Sequence, residues 1–492
     1  MLAANLRPDG LRRQLPLVVL TIGAVLAVLL HLAAGFHYPV LWDDEAHFIV
    51  PAQNLARHLA LTAPQLNAPA GIFWMPDGYA VALSLVFAIL PETTTTARLA
   101  SLAFTLTFAG CLYAVVARLD GARLLSACAV AVWLVAPLVV LMANIARMEA
   151  LVLSLVGTAL LSVATGHWPA ALAIASLIPL VHPMGFILIA AFVLAAIATR
   201  ARWRPSGRVE ASLATLAVLA WAAEAAWLAS HLDLVRQHLQ YQIARKLSYE
   251  LAPTGYEIAA GVLATIGLVG AAAGRARLGE RRAQVIALMC ALTGALVAIR
   301  VTGNEMWYRV LGRETVLLFA GLTVALLLPV RRVVSGWRLP AAAWVGAVLM
   351  AIVPVTAMAR VTVNGSAYGM ALAAGTAERD RTFLATVERE LRAFDARQSH
   401  PKVVALDWAS GLAPYLGQQR WNNLRFVDPT PVTPLYDPPD YVLFSVSPAE
   451  PDWRRTIEER TPNARPVLQL ISPDSHAKLV IYPGDVARLP IS

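Results

Sequence analysis

Three adjacent carboxylates, Asp43-Asp44-Glu45, follow Trp42 just after a long apolar segment of this 492-residue chain. The segment runs from about Leu15 to Ala34 and is long enough to cross a bilayer as a helix. Charge at such an exit is poor packing material, because desolvating it is costly. Adjacent carboxylates also repel one another, and a carboxylate in that setting could act as a base near neutral pH. The competing reading is a solvated acidic start to the next helix, favoured by the helix dipole.

Further along, Arg147 and Glu149 form an Arg-x-Glu pair where another apolar stretch begins. It could belong to a functional site; a snorkelling arginine beside a capping acid would look the same. His182 precedes Pro183 between two apolar stretches, where it could serve a site or simply cap a hairpin. Arg236, His238, Arg245 and Lys246, with Tyr241 and Tyr249 interleaved, read as an amphipathic interfacial helix. Such a helix is a shelf for a lipid phosphate, or is drawn to anionic headgroups in general. Arg309 or Arg313, flanking the next apolar run, could clamp a phosphate through a bidentate fork.

The elements that must position these groups are membrane helices. Hydrophobic residues make up 58% of the chain and charged residues 14%, with a mean hydropathy of +0.60, which describes a polytopic membrane protein. The net charge of +9 does not point to nucleic acid, because the arginines lie between apolar stretches, as topology signals do. Lysine occurs only at Lys246, Lys402 and Lys478. Cys111, Cys128 and Cys290 all lie in apolar segments and offer no metal or redox motif.

If the arginine clusters near residues 7–13, 118–123, 200–208, 275–282 and 331–338 are all cytoplasmic, an even number of spans separates each pair. The count works when Asp77–Leu90, too short to span, is an interfacial or re-entrant helix. Spans then fall near 15–34, 97–116, 123–142, 150–166, 168–182, 184–199, 210–229, 257–273, 283–300, 310–329 and 339–358. The expected fold is thus mainly α, with about eleven transmembrane helices plus juxtamembrane helices. The arginines alone set this topology, yet it also gathers Asp43, Asp44, Glu45, Arg147, Glu149 and His182 on the outer face.

Residues 1–360 form the expected membrane domain and 375–492 a small soluble α/β domain on the outer face. In the latter, Ala377–Phe394 reads as an amphipathic helix. Lys402–Leu406, Tyr441–Val446, Val467–Ile471 and Ala477–Tyr482 read as strands, Asp452–Arg460 as a helix and Asp428–Pro439 as a loop. No phosphate loop, dinucleotide fingerprint, zinc spacing or nucleophile elbow occurs there.

The order of features resembles the GT-C glycosyltransferases, closest to the branch of protein O-mannosyltransferases and bacterial lipid A aminoarabinose transferases. Trp42 to Glu45 parallels that family's Asp-Glu motif on its first juxtamembrane helix. Met75-Pro76-Asp77-Gly78-Tyr79 resembles the stretch that starts its second, and brings Tyr79 toward the substrate. Glu149 matches its second acidic position, and His182 falls where many members carry a lysine. Asn304-Glu305-Met306-Trp307-Tyr308-Arg309 resembles its late loop, with the arginine–tyrosine order reversed. The likeness is good over roughly the first 200 residues, loose over the next 160, and absent from the C-terminal domain.

The resemblance implies an integral enzyme of a bacterial inner membrane. It would move a sugar from a polyprenyl-phosphate donor to a hydroxyl of a glycan, lipid or protein acceptor outside the cytoplasm, by inverting single displacement. Asp44 is then the expected base, with Asp43 and Glu45 as alternatives. Met75 replaces the lysine that the aminoarabinose branch carries, which speaks against that sugar. Some GT-C enzymes use a divalent metal ion with an acidic pair; no second ligand cluster is visible in this sequence, and no cofactor is predicted. The rivals are a secondary transporter, which would place ionisable groups at helix midpoints, and a non-catalytic envelope-polysaccharide assembly protein. Glu224, inside the seventh span, is the chief feature on the transporter's side.

Overall fold

The computed structural model describes residues 8–33, 43–66, 68–203, 205, 207–247, 255–301, 313–333, 376–407, 412–416, 421–427, 439–446, 465–471 and 478–484. Helices dominate. They are α1 (Pro8–Ala33), α2 (Asp43–His58), α3 (Gly78–Phe87), α4 (Thr94–Arg118), α5 (Arg123–Leu134), α6 (Pro137–Ala143), α7 (Met148–Thr165), α8 (Trp168–Ser176), α9 (Ile178–Val181) and α10 (Gly185–Ala198). After them come α11 (Arg208–Ser230), α12 (Leu232–Leu247), α13 (Gly255–Ala273), α14 (Arg275–Leu278), α15 (Glu280–Val301) and α16 (Arg313–Val333). Five of these are long and apolar enough to cross a membrane: α1, α4, α7, α11 and α15. Large apolar side chains stay exposed on α1, α11 and α13, as a lipid-facing surface requires.

The bundle centres on α7 and α15. The first packs along α4 and α8, the second along α13, α10 and α16. Local sequence sets the ends. The Thr93 hydroxyl accepts the Thr96 N–H at 3.2 Å to start α4, and Gly166, at φ +91°, ends α7. Two expected spans are broken. The stretch 123–142 divides before Pro137 into α5 and α6, and 168–182 divides at Leu177, ahead of Pro179, into α8 and α9. The short helix expected within Asp77–Leu90 is α3, only 10 residues long.

The C-terminal part comprises α17 (Thr376–Ala396), α18 (Ala413–Leu416) and strands β1 (Lys402–Asp407), β2 (Leu424–Val427), β3 (Tyr441–Val446), β4 (Leu468–Ile471) and β5 (Lys478–Pro483). The sheet order is β2-β1-β3-β5-β4, with β1 parallel to β2 and β3, and β5 antiparallel to β3 and β4. All four expected strands form within a residue or so, and β2 is additional. The expected helix 452–460 and the last span, 339–358, lie outside the described residues.

The C-terminal sheet region does not stand apart. Phe383, Val387, Leu391 and Phe394 of α17 share one core with Ala46 and Val50 of α2 and with Leu66 and Ile72 of the loop after it. Phe48, Ile49 and Ala52 of α2 belong instead to the bundle core. At 100° per residue these sets occupy different sectors of one helix, leaving the sector of Asp44 and His47 free of both cores. Helix α2 is therefore a wedge between the bundle and the C-terminal sheet region.

Candidate active site

Glu45 points into the bundle. Arg98, on the second turn of α4, donates from Nε to Glu45 Oε1 at 2.8 Å and from Nη2 to Oε2 at 2.5 Å. The Ala146 N–H adds a third bond to Oε1 at 2.6 Å. Arg98 is 0% and Glu45 3% exposed, so this bidentate pair ties three segments together away from water. Both oxygens of Glu45 are engaged, which suits a structural carboxylate better than a base.

Ala146 holds the segment that presents the next residue. Arg147 is extended at the N-cap of α7 and reaches back to α2. Its Nη1 lies 3.0 Å from Asp44 Oδ2 and its Nη2 lies 2.9 Å from Glu149 Oε1. The guanidinium thus bridges two of the sequence-predicted acids, and only one of them reaches solvent. The Asp44 side chain is 38% exposed and that of Glu149 is 0% exposed. None of these charge contacts is aligned as a hydrogen bond: Nε and Nη1 of Arg147 and both oxygens of Glu149 lack an aligned partner among the described residues. Counting side chains, Asp44, Glu45 and Glu149 face Arg98 and Arg147, an excess of one negative charge.

A second layer supports this centre. His31, at the end of α1, has Nδ1 at 3.3 Å from the Asn144 amide oxygen, steadying the segment that carries Ala146 and Arg147. Tyr79 is fully buried, its hydroxyl 3.2 Å from Ser101 Oγ and its ring edge-on to Phe48 at 5.4 Å. Burial pushes its phenol pKa up. It sits behind the site as packing and does not face the open side, contrary to the substrate contact expected of it. His182 is buried as the C-cap of α9, and its Nδ1 accepts the Met184 N–H at 3.0 Å. That bond caps the hairpin. His47, one turn along α2 from Asp44, stacks edge-on against Trp74 at 5.1 Å and extends the wall beside the free carboxylate.

The remaining candidates are less defined. Asp43 opens α2, Arg313 opens α16, and Tyr241, Arg245 and Lys246 lie on α12. The side chains of these five, and Arg309 altogether, lie outside the described residues. Among the described residues no three metal-ligating side chains converge.

The sequence reading missed Arg98, His31 and Asn144. Arg98 lies on the second turn of α4, beside the start of the expected span at 97, so only a search for the counter-ion of an arginine within an apolar helix would have found its pairing with Glu45.

No protein-family model matches the sequence, and no curated protein matches it. Solved structures do match by shape. ArnT from Cupriavidus metallidurans bound to undecaprenyl phosphate superposes with a TM-score of 0.54, at 12% identity, over 95% of this chain and 98% of that one. The apo form of the same protein gives a TM-score of 0.49 at 14% identity, over 94% and 98%. The fold that the resemblance implied is therefore present, and over nearly its whole length this chain shares the architecture of ArnT.

Proposed function

We propose that the chain is a membrane glycosyltransferase that moves a sugar from a polyprenyl-phosphate donor to an acceptor hydroxyl, on the outer face of a bacterial inner membrane. The observation that carries this reading is the Asp44–Arg147–Glu149 bridge, in which one carboxylate reaches solvent while its two partners are buried. It stands in a chain with the architecture of a protein solved with undecaprenyl phosphate.

In the proposed reaction Asp44 takes the proton of the acceptor hydroxyl. The freed oxygen attacks the anomeric carbon from the face opposite the phosphate, so the configuration inverts. The bond from that carbon to the phosphate oxygen breaks as the new bond forms, and polyprenyl phosphate leaves as the anion. Arg147 fixes the orientation of Asp44, and Glu149 fixes Arg147 and accepts a sugar hydroxyl. Arg245, Lys246, Arg309 and Arg313 are the cations proposed to hold the departing phosphate.

Lipid mass spectrometry of a deletion strain tests the proposal. A polyprenyl-phosphate sugar should accumulate and one envelope glycan should shrink, and the native gene should reverse both. Asp44→Asn keeps the shape but cannot take a proton, so it should restore turnover about 10²–10⁴-fold less well at normal expression. Unchanged lipids in the deletion strain, or full complementation by Asp44→Asn, would remove the reaction or its base.

A further inference from the structure

Helix α1 faces lipid along most of its length, with Ile22, Val25, Leu26, Leu29 and Leu32 all about half exposed. Its inward stripe is Leu20, Ala24, Ala27 and His31, at spacings of four, three and four. The first three are apolar; His31, only 1% exposed, is the odd member. A histidine turned into a membrane bundle needs a polar partner, and residues of this kind mark functional sites. The partner is Asn144, 0% exposed, whose amide oxygen lies 3.3 Å from the imidazole Nδ1. That oxygen can only accept, so the Nδ1–H donates.

Asn144 caps the seven-residue helix α6 and opens the turn to α7. The turn runs through Asn144, Ile145, Ala146 and Arg147, all of them buried. Two of its fixed points come from the two N-terminal helices. His31 of α1 holds the Asn144 side chain, and Glu45 of α2 accepts the Ala146 N–H at 2.6 Å. The next residue, Arg147, lies 3.0 Å from Asp44, the neighbour of Glu45 on α2. Adjacent residues of α2 thus grip adjacent residues of the turn. A turn gripped only there can pivot about Ala146; gripped at Asn144 as well, it cannot.

We propose that His31 and Asn144 are positioning residues for the Asp44–Arg147 bridge and touch no substrate themselves. Packing alone does not call for this pair, because apolar side chains of similar shape could fill the same space at little cost. They could not fix the rotation of the turn, since a hydrogen bond has a direction and an apolar contact has none. Without the His31 bond, Arg147 keeps Glu149 beside it on α7 but loses its registration on Asp44 of α2. The consequence for transfer rests on the proposed function. There a shift of about 1 Å at a reacting group can cost roughly a hundredfold in rate.

Hydrogen exchange of the full chain in lipid nanodiscs reads the geometry without any transfer. His31→Phe keeps a ring and removes the donor. The amides of the 144–147 turn should then exchange about tenfold faster, the scale of one lost hydrogen bond, while α4 and α15 keep native protection. His31→Asn, whose amide can donate from near the Nδ1 position, should restore most of the protection. In the complemented deletion strain, His31→Phe at normal expression should lower transfer about ten- to a hundredfold, and His31→Asn should recover it. Purified His31→Phe should bind polyprenyl phosphate as tightly as the native chain, which separates positioning from binding. Native exchange of the turn in His31→Phe would overturn the proposal. So would protection lost throughout α4 and α15, or native transfer despite a loosened turn. Unchanged lipids in the deletion strain would remove the glycosyltransferase reading instead, and exchange of the turn would still decide whether His31 holds it.

Discussion

Asp44 and Glu45 are adjacent, yet the helix gives them different fates. One residue on α2 turns a side chain by 100°, so Glu45 enters the bundle while Asp44 stays at its edge. Linear spacing could not separate them, because rotation about the helix is fixed only by the partners that each residue finds. Arg147 and Glu149 were legible because charge at the start of an apolar stretch stands out. Arg98 was not, since it reads as one more basic residue near a span boundary. Its removal gives a sharp test. Arg98→Ala strands the Glu45 charge in the core and should cost roughly 3–5 kcal/mol, the scale for breaking a buried pair. Glu45→Gln with Arg98→Met removes both charges, keeps an acceptor for the Ala146 N–H, and should recover most of that stability. Thermal unfolding in detergent compares the variants. An Arg98→Ala chain as stable as the native one would mean that the pair does not hold α2 to α4.

Between residues and the whole chain stand the elements, and here hydropathy read well for existence and poorly for breaks. A window that averages over Ala136-Pro137 or over Leu177–Pro179 sees one apolar run, whereas the backbone there loses its helical bonds. Strand β2 was invisible because it has four residues with Arg425 among them, and a parallel neighbour defines it more than its own pattern does. The short helix α3 was legible, since too few apolar residues to span is itself a signal. Its first residue makes the element-scale prediction. Gly78 sits against the Leu180 carbonyl of α9, closer than any Cβ could tolerate. Gly78→Ala should push α3 off α9 and destabilise the chain by about 1–3 kcal/mol, as overpacking does. A melting temperature unchanged by Gly78→Ala would show that this contact is slack. By contrast Gly207→Ala, where nothing lies near the added methyl, should be silent.

For the whole molecule, the sequence reading places a division at about residue 375, where the composition turns from apolar to charged. Packing does not follow it, because the C-terminal sheet region completes its core with Ala46, Val50, Leu66 and Ile72 from the N-terminal part. Composition cannot show this: two alanine- and valine-sized positions on a helix read equally well as a lipid-facing or a bundle-facing surface. The consequence is that the helix carrying Asp44 is held from two sides, and the second wall can be removed alone. Val50 is 1% exposed and belongs to the domain-facing sector, whereas the bundle-facing residues Phe48, Ile49 and Ala52 lie elsewhere on the helix. Val50→Asp places an unpaired charge in that shared core, where it cannot stay without a penalty of several kcal/mol, so about that much docking energy is lost. Hydrogen exchange should then show α17 and β1 losing protection while α4 and α7 keep theirs. The proposed transfer should fall because α2 can tilt and Asp44 moves relative to Arg147, even though neither residue has changed. Val50→Ala removes only two methyl groups and should leave the domain docked. If Val50→Asp left both the protection of α17 and the proposed transfer at native values, the C-terminal sheet region would be an appendage and the bundle alone would hold the helix that carries Asp44.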